Sequence, residues 1–172
     1  MKKIITFFSL FLLTLVIQTQ AQTETKKTID GAKIEREKFD PARNAAADLA
    51  GAVAKAQKSG KRIILDVGGE WCGWCVWMDK FFFANPDLAR VRDENFVWLK
   101  INFSEENENK VFLSTYPAIL GYPHLFVLDE TGKLIHSQDT SPLEAGKGYD
   151  LIKFTEFLKT WTTKKVAADA VK

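Results

Sequence analysis

The chain is poor in the residues that most often build a site. Its 172 residues include only two cysteines, two histidines and two methionines. Two thiols and two imidazoles, with no second CxxC and no finger-type histidine spacing, exclude a four-ligand structural zinc site. One cysteine pair in so long a chain also excludes a disulfide-stapled mini-protein. With 46% hydrophobic residues, a domain of this size builds its core without staples. An excess of either charge is lacking as well. Lys and Arg total 24 against 22 Asp and Glu, and setting aside Lys2 and Lys3 leaves 22 against 22. A neutral chain has no electrostatic footprint for nucleic acid or an anionic lipid surface. After Ile17 no stretch has the length and apolarity of a membrane span, and no internal repeat is visible.

What is present begins with an export pattern. Lys2 and Lys3 precede an apolar run, Ile4 to Ile17, broken only by Thr6, Ser9 and Thr14. Thr19-Gln20-Ala21 supplies a small-residue cleavage site. The run is shorter than the roughly 20 residues that cross a bilayer, so an uncleaved anchor is the weaker alternative. No cysteine adjoins it to carry a lipid. Residues 1–21 are therefore expected to be a signal peptide cleaved near Ala21. The mature chain is expected to lack a membrane span and to be periplasmic or secreted. Residues 22–38 read as a flexible leader ending in a short strand near Ala32 to Glu35, 39–162 as one domain, and 163–172 as a frayed tail.

Within the domain, Asp40-Pro41 reads as a helix start. Ala45, Leu49, Ala52, Val53 and Ala56 follow at helical spacing, and Ser59-Gly60 stops them. Arg62 to Val67 is a β-branched apolar run, a buried strand. From Cys72 the pattern is helical through Cys75, Met78, Asp79, Phe82 and Phe83. Asn85-Pro86 opens a short helix with Leu88 and Val91. Phe96 to Phe103 is the next strand, and Ser104 is expected to cap a helix reaching Ser114, with Glu105 to Lys110 on its solvated face. Leu125 to Leu128 and Lys133 to Ser137 form a hairpin across Asp129-Glu130-Thr131-Gly132. Asp139 to Gly148 is expected to be a polar loop. Asp150 caps a last helix whose apolar face is expected to be Leu151, Ile152, Phe154, Phe157, Leu158 and Trp161. The order suits an α/β fold, a central mixed β-sheet flanked by helices on both faces.

Both cysteines lie in Trp71-Cys72-Gly73-Trp74-Cys75. A pair three positions apart closes too small a loop to stabilise a fold, so it needs a chemical reason. Thiol–disulfide exchange requires a thiolate that attacks a disulfide sulfur and a second thiol that resolves the product. Cys72 at a helix N-terminus faces unpaired N–H groups and the positive end of the macrodipole, which favour its thiolate. Cys75, almost a turn further in, is the resolving thiol. Trp71 and Trp74 bracket the nucleophile and offer an apolar platform for a polypeptide. Copper remains open as an alternative, with Cys72, Cys75 and His124 as soft ligands. His124 otherwise reads as a strand-end histidine.

Several separate segments then resemble the thioredoxin superfamily. Ile64-Leu65-Asp66-Val67 followed by Gly-Gly-Glu-Trp-Cys-Gly-Trp-Cys is similar to its strand, loop and CxxC. Trp98-Leu99-Lys100-Ile101-Asn102 is similar to its next strand. Gly121-Tyr122-Pro123 before Leu125 resembles its cis-proline loop, and Asp129 to Ile135 its closing hairpin. The Gly-Trp pair between the cysteines and the export pattern look most like exported members with a WCGWC centre. The resemblance implies a thioredoxin fold and a buried carboxylate, Asp66, that accepts and returns the proton of Cys75. It implies that Lys100 tunes Asp66, that Tyr122 and a cis Pro123 position the substrate, and that Gly73 supports the motif.

The function expected is an exported thiol–disulfide oxidoreductase, acting as a reductase on cysteine-containing envelope proteins. Its electrons would come from a membrane or thioredoxin-type donor. No metal and no cofactor beyond the Cys72–Cys75 disulfide is expected. The alternatives are a copper-binding chaperone and a fold kept only for partner docking.

Overall fold

The structure, a computed structural model, describes residues 36–163. The export pattern, most of the leader and nearly all of the tail lie outside the described residues. Helix α1 (Ala45–Ser59) is followed by β1 (Arg62–Gly68), α2 (Gly73–Ala84), α3 (Pro86–Asn95) and β2 (Phe96–Asn102). Then come α4 (Lys110–Leu113), β3 (His124–Leu128), β4 (Leu134–Asp139), a 3-10 turn at Ser141–Leu143, the short strands β5 (Glu144–Ala145) and β6 (Gly148–Tyr149), and α5 (Leu151–Thr160).

The main sheet runs β2-β1-β3-β4. β1 pairs parallel with β2 and antiparallel with β3, and β3 pairs antiparallel with β4. The sheet is thus mixed, as expected, with helices on both faces. Alternation along the strands sorts the side chains. Ile63, Leu65, Val67, Leu99, Ile101, Phe126 and Leu128 pack against Ala45, Ala52 and Ala56 of α1. On the opposite face Ile64, Leu125 and Val127 meet Met78 and Phe82 of α2, Leu88 of α3, and Phe154, Phe157 and Leu158 of α5. The same alternation turns Asp66 toward the α2 face, opposite its register partner Lys100.

Three local expectations are corrected. The first helix starts at Ala45, not at Asp40. Asp40 instead caps a turn by accepting the Ala42 N–H at 2.8 Å, and Asn44 is the true N-cap, accepting from Ala47 at 3.0 Å. The helix expected from Ser104 to Ser114 shrinks to Lys110–Leu113. Asparagine side chains take over the backbone there: Asn102 donates to the Asn107 carbonyl, Asn109 donates to the Asn102 carbonyl, and Asn107 accepts the Asn109 N–H. Such side chains compete with helical bonding, and Asn109 adopts the left-handed region at φ 47°. The run Glu105 to Asn109 is therefore loop, and only Lys110 of that charged stretch lies in a helix. Finally, the stretch Asp139 to Gly148 is not all loop: part of it folds into the 3-10 turn and the β5–β6 hairpin.

Of the Phe81-Phe82-Phe83 run, Phe82 is buried, Phe81 is partly buried and Phe83 is 76% exposed. Phe154 is the hub of this layer, with its ring against Phe81, Phe82, Tyr149 and Phe157. Phe154→Ala is expected to lower the unfolding free energy by about 3–5 kcal/mol. Urea denaturation checks it; an unchanged midpoint would remove Phe154 from its place in the core.

Candidate active site

Cys72 is the N-cap of α2, and the two cysteines are bonded to each other with Cα atoms 5.3 Å apart. Cys72 Sγ accepts the Cys75 N–H at 3.1 Å, so an otherwise orphaned helix donor is directed at the sulfur. Cys75 is fully buried and Cys72 is 5% exposed. β1 approaches so closely that a Cβ on Gly68 would lie 2.5 Å from Cys75 Sγ; no larger residue fits there without displacing the sulfur.

Beneath the pair, Asp66 is fully buried. Its Oδ2 accepts from Lys100 Nζ at 3.0 Å and from Trp98 Nε1 at 3.2 Å, while Oδ1 has no protein partner. Gly68 and Asp66 are alternate residues of one strand, hence on one face about 7 Å apart. Burial holds the Asp66 carboxyl above the ordinary carboxylate range, although Lys100 opposes the shift. Lys100 is shared: its Nζ also donates to Asp79 Oδ1 at 2.8 Å. Burial works to lower the Lys100 ammonium, but Asp66 and Asp79 together outweigh it and leave it raised. Although β2 is an edge strand, the Lys100 side chain is 4% exposed.

The expected substrate residues fall into two groups. Tyr122 packs against the cysteine cluster, stacks on Phe103 at 4.8 Å and meets Trp71 edge-on at 5.5 Å. The Tyr122–Pro123 bond is cis. Trp71 is 58% exposed, and its Nε1 donates to the Phe103 carbonyl at 2.6 Å. A cleft of about 440 Å³ opens beside it, lined also by Phe103, Ser104, Glu105, Glu106 and Glu108. Trp74, by contrast, is half-buried between Trp77 and Tyr149. Gly73 opens α2 directly after Cys72.

His124 is buried, with its Nδ1 unpartnered. Its Nε2 bonds Ser137 Oγ at 2.8 Å, and among the described residues no three of His, Cys, Asp and Glu gather as a metal site.

Sequence reasoning passed over Asp79, Glu70, Arg36 and Phe39. Asp79 carried a signal: it lies four residues after Cys75 and seven after Cys72, on the same helical face. The other three are joined to the centre only through the tertiary fold.

The family model described as thioredoxin-like matches residues 44–130, just over half of the chain. The chain belongs to the thioredoxin-like family. Thiol:disulfide interchange protein DsbD of Colwellia psychrerythraea is 30% identical over 96 residues, covering 55% of this chain and 16% of that protein. The chain thus spans about a sixth of that relative's length. Among solved structures, a disulphide isomerase from Xylella fastidiosa superimposes with a TM-score of 0.59 at 19% identity, over 71% of this chain and 94% of that one. The oxidised C-terminal domain of DsbD from Neisseria meningitidis gives 0.54 at 22% identity, over 73% and 99%. Both structural likenesses establish the fold.

A carboxyl group that is raised in the folded state binds its proton more tightly there than in the unfolded chain. Stability is therefore lost as pH rises from the unfolded carboxylate range through the folded value. Asp66→Asn removes this cost. Above the folded value the variant is expected to be more stable than wild type, by about 1.4 kcal/mol for each unit of elevation, and the difference should vanish in acid. Urea melts across the pH range test this; a variant less stable at neutral pH would contradict it.

Proposed function

We propose that this chain is an exported thiol–disulfide oxidoreductase that reduces disulfides in cysteine-containing proteins of the cell envelope. The observation that carries the reading is the asymmetry of the two sulfurs: Cys72 caps the α2 N-terminus, while Cys75 is buried in line with an acid, Asp66, that has one oxygen free. Family membership, and the interchange activity named in the relative's title, support it. Export rests on the pattern of residues 1–21, with the mature chain periplasmic or secreted. Among the described residues no helix is long and apolar enough to cross a membrane.

In the reduced protein the Cys72 thiolate attacks one sulfur of the substrate disulfide. The substrate S–S bond breaks, a Cys72–substrate bond forms, and one substrate thiolate leaves. Cys75 then gives its proton to Asp66, directly or through a water, and its thiolate attacks Cys72 Sγ. The mixed disulfide breaks, Cys72–Cys75 forms, and the second substrate thiolate departs. Two electrons pass to the substrate, whose two thiolates take protons from solvent, while Asp66 holds the Cys75 proton until that thiol is regenerated. A dithiol protein, membrane-bound or thioredoxin-like, restores the reduced state by the same exchange. Tyr122 and Trp71 flank Cys72 and provide the apolar surface on which the substrate chain lies. Lys100 tunes Asp66 through the ion pair they share, and Gly73 leaves the turn into α2 open in front of Cys72.

Cys75→Ser leaves Cys72 able to attack but unable to be released. Expressed in whole cells, that variant is expected to accumulate mixed disulfides with envelope proteins, visible on non-reducing gels and absent from Cys72→Ser. An empty trap would overturn the assignment. Asp66→Asn is expected to slow exchange near neutral pH by about a hundredfold without loss of fold; an unchanged rate would remove the proton role.

A further inference from the structure

Arg36 to Phe39 forms neither helix nor strand, yet one end packs on the dithiol and the other binds residues that flank it. Phe39 is 2% exposed and packs against Cys72 and Cys75. Its ring centroid lies 4.0 Å from Lys100 Nζ, within cation–π range. Its N–H donates to Glu70 Oε1 at 2.9 Å. Arg36 forks onto both Glu70 oxygens and donates from Nη1 to Asp79 Oδ2 at 2.8 Å. Glu70 stands two residues before Cys72, and Asp79 four residues after Cys75. These four residues therefore join the loop in front of the dithiol to the helix behind it.

We infer that Arg36–Phe39 is a cover built into the redox centre: Phe39 closes the inner side of the cysteine pair and Arg36 latches it, so that outside reagents reach Cys75 only past Cys72. The edge position of β2 creates the need. Among the described residues no strand lies beyond β2 to shield Lys100, and the groups set over its ammonium are Asp79 of α2 and the Phe39 ring. The latch is electrostatically matched. Arg36 holds the Glu70 carboxyl below its usual range, and Glu70 and Asp79 in turn raise the guanidinium.

The cover deepens the exchange reading above and takes its purpose from it. A resolving thiol that no outside disulfide can reach forces every mixed disulfide onto Cys72. A buried acid closed to solvent exchanges its proton with Cys75 and not with bulk water. The charged and titratable groups set around Asp66 are Lys100 from β2, Asp79 from α2 and Tyr149 from β6, with Arg36 and Glu70 acting through Asp79. β3 contributes Leu125 beside it, which carries no charge. Phe39 adds no charge either, so its removal changes hydration around Asp66 and leaves that set intact.

The test uses the whole mature chain, reduced with a phosphine and alkylated with iodoacetamide, with the modification rate at each cysteine followed by peptide mass spectrometry. In wild type Cys72 is expected to react while Cys75 lags by at least about tenfold. Phe39→Ala and Arg36→Ala are each expected to speed Cys75 about tenfold while Cys72 stays within about twofold. Phe39→Leu and Arg36→Lys should restore part of the protection. Leu158→Ala, a core change away from the centre, should leave Cys75 slow. In Phe39→Ala the Asp66 carboxyl, followed by carbon-13 NMR, should titrate lower than in wild type, because water now reaches it. If Phe39→Ala does not fold, Arg36→Ala decides alone. Slow Cys75 in the folded variants, or equal opening in Leu158→Ala, would overturn the cover. These rates are read without any substrate, so a protein inactive in exchange would sink the proposed function and leave this result standing.

Discussion

The centre depends on an ion pair held away from water. Two buried or nearly buried carboxylates, Asp66 and Asp79, share one ammonium, Lys100. Removing charges from water is costly, and a buried pair survives only where further hydrogen bonds complete it. The completion here runs outward as an alternating series: Asp66, Lys100, Asp79, Arg36, Glu70. Each charge meets its opposite, and the series opens to solvent most at Arg36 and Glu70, whose side chains are partly exposed. Asp66 sits at the dry end, with one oxygen unpartnered. Placed there, a carboxyl keeps its proton more readily than one in water, as proton exchange with a neighbouring thiol requires.

Two opposed electrostatic environments thus bear on one disulfide. The first turn of α2 presents backbone N–H groups to Cys72, a setting that favours a thiolate. The sheet presents Cys75 with the glycine gap at Gly68 and, one pleat further along, an acid. A helix N-terminus alone would act on both sulfurs of so short a pair. In the proposed exchange the buried carboxyl distinguishes them, and the strand register that sets Asp66 opposite Lys100 underlies the different work assigned to the two cysteines.

Much of this was legible in the chain because its determinants are local. The run Ile63 to Val67 declares a buried strand, and the period of two then assigns Asp66 a face. The CxxC spacing and the Asp150 cap are likewise contained within a few residues. The errors arose where side chains redirect the backbone. Asn102, Asn107 and Asn109 bond main-chain groups across up to seven residues, and no helical pattern between Ser104 and Ser114 reveals that they will. The short hairpin Glu144 to Tyr149 hides in polar sequence because it is stabilised by docking Tyr149 on Trp74, a contact 75 residues distant. Arg36 and Phe39 were illegible for a related reason. Their partners, Glu70, Asp79 and the cysteines, are brought to them by the packing of β1 and α2, and the segment itself has no period to read.

That hairpin also breaks a symmetry suggested by the sequence. Trp71 and Trp74 read as equal flanks of Cys72, but only Trp71 stands in solvent, its ring fixed by the bond from Nε1 to Phe103 and by the edge of Tyr122. Trp74 lies under Tyr149, whose hydroxyl donates to the Trp74 carbonyl at 3.3 Å. The same Tyr149 ring meets Phe81 and Phe154, so the flank that loses its exposed tryptophan becomes continuous with the core. An exposed aromatic ring has apolar area to offer a partner, whereas one covered by its own chain already uses it in packing. In the proposed exchange the apolar approach to Cys72 therefore lies on one side, across Trp71 and Tyr122, while the Trp74 flank packs against the first turn of α2.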